Sequence, residues 1–93
     1  MKAKVYRVDG RKIASVEDFY RQLGRSVNGR GGYFGDNLDA LADCLRGGFG
    51  TPEDREFAFV WEHSESSREH LEQEFVDAVI DVFDDAGVAL RLT

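Results

Sequence analysis

Apolar and polar positions alternate in blocks that change period along the chain, and the changes mark out the elements. Lys2–Val8 is rich in β-formers and reads as a first strand. Asp9-Gly10 then turns the chain, and it could equally close a short hairpin into Arg11–Ile13. Ser15 is a good N-cap with Asp18 three residues on, and Phe19, Tyr20 and Leu23 follow at helical spacing, which predicts a first helix over about Val16–Gly24. Asn28–Gly35 holds four glycines and predicts a loop. A second helix is expected over Asp36–Arg46, capped by Asp36 and stopped by Gly47-Gly48. Thr51–Arg55 is polar and contains the only proline.

The second half of the chain is simpler. Glu56–Glu62 encloses Phe57, Ala58, Phe59, Val60 and Trp61, an unbroken apolar run that predicts a central strand. Ser64–Ala86 is helical, with a break expected near Ser66–Arg68. Leu71, Phe75, Ala78, Val79, Val82, Phe83 and Ala86 form its apolar stripe. Gly87 ends the helix, and Val88–Leu92 is a last strand. Strands joined by helical crossovers predict a parallel three-stranded sheet in sequential order. Right-handed crossovers put all the helices on one side, so the expected fold is a two-layer α/β sandwich carrying three to four helices.

Composition narrows the function. The chain has 93 residues, 42% of them hydrophobic, enough for one modest core. The one cysteine, Cys44, excludes an internal disulfide. The charged N-terminus does not resemble a signal peptide and no apolar stretch is long enough to span a bilayer, so a cytoplasmic protein without a membrane partner is expected. Nine arginines to three lysines suit a GC-rich bacterial genome. Charge is divided along the chain. Residues 1–33 carry eight Lys/Arg and three Asp/Glu (net +5), and residues 34–93 carry four and fifteen (net −11), which together give the overall −6. Such an acidic surface repels nucleic acid and attracts basic partners, although it also serves plain solubility.

The second helix sets three of these acids in a row. At ~100° per residue, Leu38, Leu41 and Leu45 fall within about 60° of one another, and Asp36, Asp39 and Asp43 share the opposite side. Helix capping accounts for Asp36, and Asp39 is read equally as a first-turn acid favoured by the helix dipole or as a partner contact. Asp43 lies deeper, facing Asp39 at i+4, where like charges repel; Arg46 reaches it only at i+3. Unpaired acids after an aromatic, glycine-rich loop suit a cationic partner.

Other chemistries fit poorly. His63 and His70 have the wrong spacing for a shared metal and are expected to be exposed. Cys44 reads as a small, partly buried hydrophobe. The glycine loop lacks the Lys-Ser/Thr of a phosphate-binding loop, and Arg30 alone does not make an RNA-binding segment. A carboxylate-dependent enzyme or a metal-binding domain built on Asp36, Asp39 and Asp43 is the alternative, disfavoured because a helix face is too convex to supply six oxygens.

The stretch Tyr33-Phe34-Gly35-Asp36-Asn37-Leu38-Asp39-Ala40-Leu41-Ala42-Asp43-Cys44-Leu45 resembles the binding loop and second helix of the barstar family, intracellular inhibitors of ribonucleases of the barnase type. Val82-Phe83-Asp84-Asp85-Ala86 is similar to the end of that family's long helix, and the order of elements agrees over nearly the whole chain. The resemblance implies one inhibitor domain over residues 1–93, acting without cofactor or catalysis as an immunity-type protein. Its implied partner is a basic, barnase-superfamily ribonuclease or ribonuclease toxin, bound 1:1 with the acidic helix in the enzyme cleft. The implied partner-binding residues are Tyr33, Phe34, Gly35, Asn37, Asp39, Ala42, Asp43, Arg46, Gly47 and Asp85. Asp43 would be the central anchor, Asp39 would pair with a cleft cation, Tyr33 would supply an aromatic contact, Gly35 a backbone N–H, Asn37 a polar contact or a hold on the loop, and Asp85 a peripheral ion pair. Ala42 stands where the family has tryptophan, Gly48 where it has an aromatic residue, and Arg46 where it has a small hydroxyl residue.

Overall fold

The computed structural model describes residues 3–93. Strand β1 runs over Lys4–Asp9, helix α1 over Val16–Asn28, α2 over Leu38–Arg46, β2 over Phe57–Glu62, α3 over Ser64–Arg68, α4 over Gln73–Ala86 and β3 over Ala89–Leu92. The strands form one parallel sheet in the order β1-β2-β3, with Tyr6 opposite Phe59 and Phe59 opposite Leu90. This is the expected α/β architecture, a three-stranded parallel sheet with four helices packed on it. The expected strand start at Lys2 lies outside the described residues.

Period-2 burial shows which side the helices cover. Tyr6 and Val8 on β1 and Phe59 and Trp61 on β2 are buried, while Val5 and Arg7 on β1 and Ala89 and Arg91 on β3 are exposed. Ala58 and Val60 are only half-buried although β2 is central, because no second layer of the described residues covers that face. On the covered face Phe19, Phe75, Phe59, Phe83 and Trp61 pack ring against ring at centroid distances of 5.0–5.5 Å. The Trp61 indole N–H is not left unpaired: it donates to Ser67 Oγ at 3.0 Å, and that hydroxyl donates to the Gly10 carbonyl at 2.7 Å. These bonds tie α3 to the chain just after β1.

Several boundaries differ from the sequence reading, each for a local reason. Asp9-Gly10 closes no hairpin; Gly10–Lys12 is a 3₁₀ turn capped by the Asp9 carboxylate, which accepts from the Arg11 N–H at 3.0 Å. Helix α1 passes through Gly24 to Asn28, since Gly24 is a contact point and not a stop. A Cβ there would lie 2.1 Å from the Gly32 carbonyl oxygen. The break in the long helical segment falls at residues 69–72, after Ser66–Arg68, with Leu71 buried in the turn. Val76, fully buried, joins Val79 and Phe83 at the centre of the α4 stripe, and Phe75, Ala78, Val82 and Ala86 lie half-buried at its edges.

Candidate functional site

Helix α2 is held by one face. Leu41, Cys44 and Leu45 are buried, Leu38 is half-buried, and the helix packs mainly against α4. The opposite face carries Asp39 and Asp43, both exposed. The helix begins at Leu38 and not at Asp36. Asn37 is in extended conformation and its Oδ1 accepts from the Ala40 N–H at 2.8 Å, so Asn37 is the N-cap. Either residue type can cap; the choice falls on the one whose side chain reaches the N3 amide. Asp36, displaced one residue out, accepts from the Asn37 side-chain amide at 3.1 Å. It stays exposed beside the start of the acidic face.

Two features hold the preceding loop against α2. Gly35 has φ +95°, and a Cβ on it would come within 2.9 Å of the Leu41 amide nitrogen, so this close approach requires glycine. Phe34 is wholly buried, its ring 5.8 Å from that of Phe59. The expectation that Phe34 meets a partner is therefore corrected: it is the loop's anchor in the core. Its neighbour Tyr33 points outward with half its surface exposed. Gly47 is the C-cap of α2, its N–H donating to the Cys44 carbonyl at 3.2 Å.

The acids are poorly neutralised. Arg46 reaches Asp43 at 3.1 Å, but both side chains are about two-thirds or more exposed (72% and 66%). Such a pair is worth roughly 0–1 kcal/mol and is readily exchanged for a better partner. No ion pair among the described residues engages Asp36 or Asp39. Neighbouring groups register the negative charge. The Cys44 thiol is pushed up by burial and then by Asp43 and Asp36, which makes it a poor nucleophile. The Tyr33 hydroxyl is raised by desolvation and then by Asp36, Cys44 and Asp43. Tyr20 is raised by burial and then by Asp36.

The tertiary structure joins residues far apart in sequence. A cleft of about 220 Å³ between α2 and α4 is lined by Leu38, Asp39, Ala42, Arg46, Val82, Asp85 and Ala86. It places Asp85 on the same surface as Asp39, Ala42 and Arg46. On the other side of α2, Asp36 and Asp39 rim a groove with Val16, Tyr20, Leu38 and Phe75. Sequence reasoning gave Val16 and Phe49 no part in the site, yet they are 42% and 44% exposed. Phe49 had a signal: an aromatic residue isolated among Gly47, Gly48 and Gly50, outside any periodic pattern.

The remaining chemistry-bearing residues lie elsewhere. Cys44 is fully buried, more than the sequence suggested. His63 and His70 are exposed, His63 at the end of β2 in left-handed conformation and His70 in the turn after α3. Among the described residues, no three His, Cys, Asp or Glu side chains converge in a way that could hold a metal ion. A cleft of about 700 Å³ is lined by Arg11, Glu62, His63, Glu65, Ser66, Glu69 and Thr93 and shares no residue with the acidic helix. No helix among the described residues is long and apolar enough to cross a membrane. The family model described as Barstar (barnase inhibitor) matches residues 3–92.

Proposed function

The chain belongs to the barstar family of barnase inhibitors, and from that premise we propose that it blocks the active site of a barnase-type ribonuclease with α2 and the loop before it. The observation that carries this reading is the exposed, weakly neutralised row Asp36, Asp39 and Asp43, set beside the exposed ring of Tyr33. A ribonuclease cleft is lined with cations that bind RNA phosphate. Carboxylates on a rigid helix replace the phosphate oxygens and receive charge-assisted, often bidentate, hydrogen bonds from arginine. Because α2 is fixed from behind by Leu41, Cys44 and Leu45, little ordering entropy is lost on docking.

In this reading Asp43 is the central anchor and exchanges Arg46 for the enzyme's cations. Asp39 pairs with a second cation. Asp85, across the α2–α4 cleft, makes a peripheral pair near Ala42 and Arg46. Tyr33, Gly35 and Gly47 supply contacts at the two ends of α2. Asn37 acts through the cap that fixes where the helix begins, and Phe34 through its grip on the core. The protein works in the cytoplasm as a 1:1 partner of a guanyl-specific ribonuclease or ribonuclease toxin, without cofactor and without turnover. Titration of barnase and related ribonucleases with the protein tests this. Loss of RNA cleavage complete at one equivalent of inhibitor is expected with at least one enzyme. Undiminished cleavage by every barnase-type enzyme at excess inhibitor would overturn it.

A further inference from the structure

The two loops flanking α2 are joined by one side chain. Asn28, the last residue of α1, donates from Nδ2 to the Tyr33 carbonyl at 2.8 Å and to the Phe49 carbonyl at 2.7 Å. Those carbonyls belong to residues 5 and 21 positions away, one in each glycine-rich loop. The bridge brings the two rings together outside the core, with centroids 6.4 Å apart and planes at 57°. Tyr33 and Phe49 are also the two most exposed aromatic residues of the described chain, at 50% and 44%. At the middle of the acidic face Ala42 offers only a methyl group, so apolar contact there must come from the flanks of the helix.

We propose that Tyr33 and Phe49 form an aromatic clamp for an arginine guanidinium of the ribonuclease, and that Asn28 is the positioning residue that sets it. This rests on the inhibitory reading above and adds two residues, Phe49 and Asn28, that the acidic helix does not include. Charge complementarity selects the occupant. An aromatic face attracts a cation through its quadrupole, and Asp36 and Asp43 are close enough for their charge to act on the Tyr33 hydroxyl. A cation between the rings and the acids gains from both. Arginine fits better than lysine, because its planar guanidinium stacks on a ring while its fork bonds a carboxylate. A nucleobase could stack on the same rings, but its phosphates would meet the acids.

The test uses the full chain and a barnase-type ribonuclease that it inhibits, with binding read by titration calorimetry and folding by thermal melts. Both rings are exposed, so Phe49→Ala and Phe49→Leu should melt like the parent. Phe49→Ala should weaken binding about 5- to 30-fold, the range expected of a desolvated cation–π contact. Phe49→Leu should lose nearly as much, since it keeps apolar area but has no π face. Asn28→Ala should weaken binding in the parent and add nothing in a Tyr33→Ala/Phe49→Ala background, a coupling that a merely structural role would not produce. Among single arginine-to-lysine changes in the ribonuclease, one should cost affinity against the parent but not against Phe49→Ala, whereas changes at arginines that meet Asp39 or Asp43 should cost the same against both. Parent-like binding by either Phe49 variant, an Asn28→Ala cost that persists without the rings, or no coupled arginine would overturn the clamp and leave the inhibitory reading standing. Binding of short single-stranded RNA that is lost in Phe49→Ala would overturn the choice of occupant. Failure of the parent to inhibit any such enzyme would overturn the inhibitory reading and the clamp with it.

Discussion

Replacing Asn37 by alanine should destabilise the protein more than replacing Asp36 by alanine, the reverse of what the sequence alone suggests. Asn37→Ala removes the acceptor that meets the Ala40 N–H at 2.8 Å and leaves that helical donor to water. Loss of such a cap costs about 1 kcal/mol, within a range of roughly 0.5–2. In a chain of 93 residues this lowers Tm by about 4–8 °C. Asp36 accepts one exposed hydrogen bond at 3.1 Å from the Asn37 side chain and sits one residue outside the helix. Its loss should cost only about 0.3–0.5 kcal/mol, from the weakened helix-dipole interaction. Asn37→Asp keeps an equally good cap and should stay within about 0.5 kcal/mol of the parent. Urea and thermal unfolding followed by circular dichroism measure all three. A larger loss for Asp36→Ala than for Asn37→Ala, or no rescue by Asn37→Asp, would refute the assignment of the cap.

Phe34→Ala should cost about 3–5 kcal/mol of folding stability, since the ring is wholly buried against Phe59; Tyr33→Ala, with half its surface exposed, should cost far less, and urea titration separates the two. Asp18 is held below its ordinary value of 3.8, first by the Ala14 N–H and then by Arg21 and Ser15. Its stabilisation is therefore full above the unfolded pKa and lost as pH falls through the lower folded value, so Asp18→Asn should flatten the acid limb of the stability–pH curve below about pH 4; an unchanged acid limb would count against the shift. Association with the ribonuclease should slow steeply as salt rises while dissociation changes little, as stopped-flow mixing would show, because residues 34–93 carry a net −11.

The strands, their order and the covered face were legible from the apolar run of β2, the period-3.6 stripes of the helices between the strands and the handedness of the crossovers. Where two adjacent residues could do the same job, pattern was not enough. Asp36 and Asn37 are both good caps, and only the reach to the Ala40 amide separates them. Phe34 and Tyr33 are both aromatic, yet one is buried and the other exposed. Gly24 looked like a helix stop because its close contact with Gly32 is tertiary. The acid row could be read from helical spacing alone. The approach of Asp85 to Ala42 and Arg46 depends on how α4 packs against α2. The link from Asn28 to Phe49 spans 21 residues and has no local signature.

The central claim is that Asp43 anchors a specific complex and is not simply part of a negative surface. Calorimetric titration of the cognate ribonuclease with Asp43→Ala and with Asp77→Ala tests it most directly. Asp77 is exposed on α4 and, among the described residues, its side chain bonds only to Gln73, at 2.9 Å, so its removal subtracts the same charge away from the proposed interface. Removing Asp43 leaves enzyme cations desolvated and unpaired, a loss of about 3–5 kcal/mol, or more than roughly 100-fold in Kd. Asp77→Ala should bind like the parent. Equal affinities for the two variants would contradict the account, even if the protein still inhibited the enzyme.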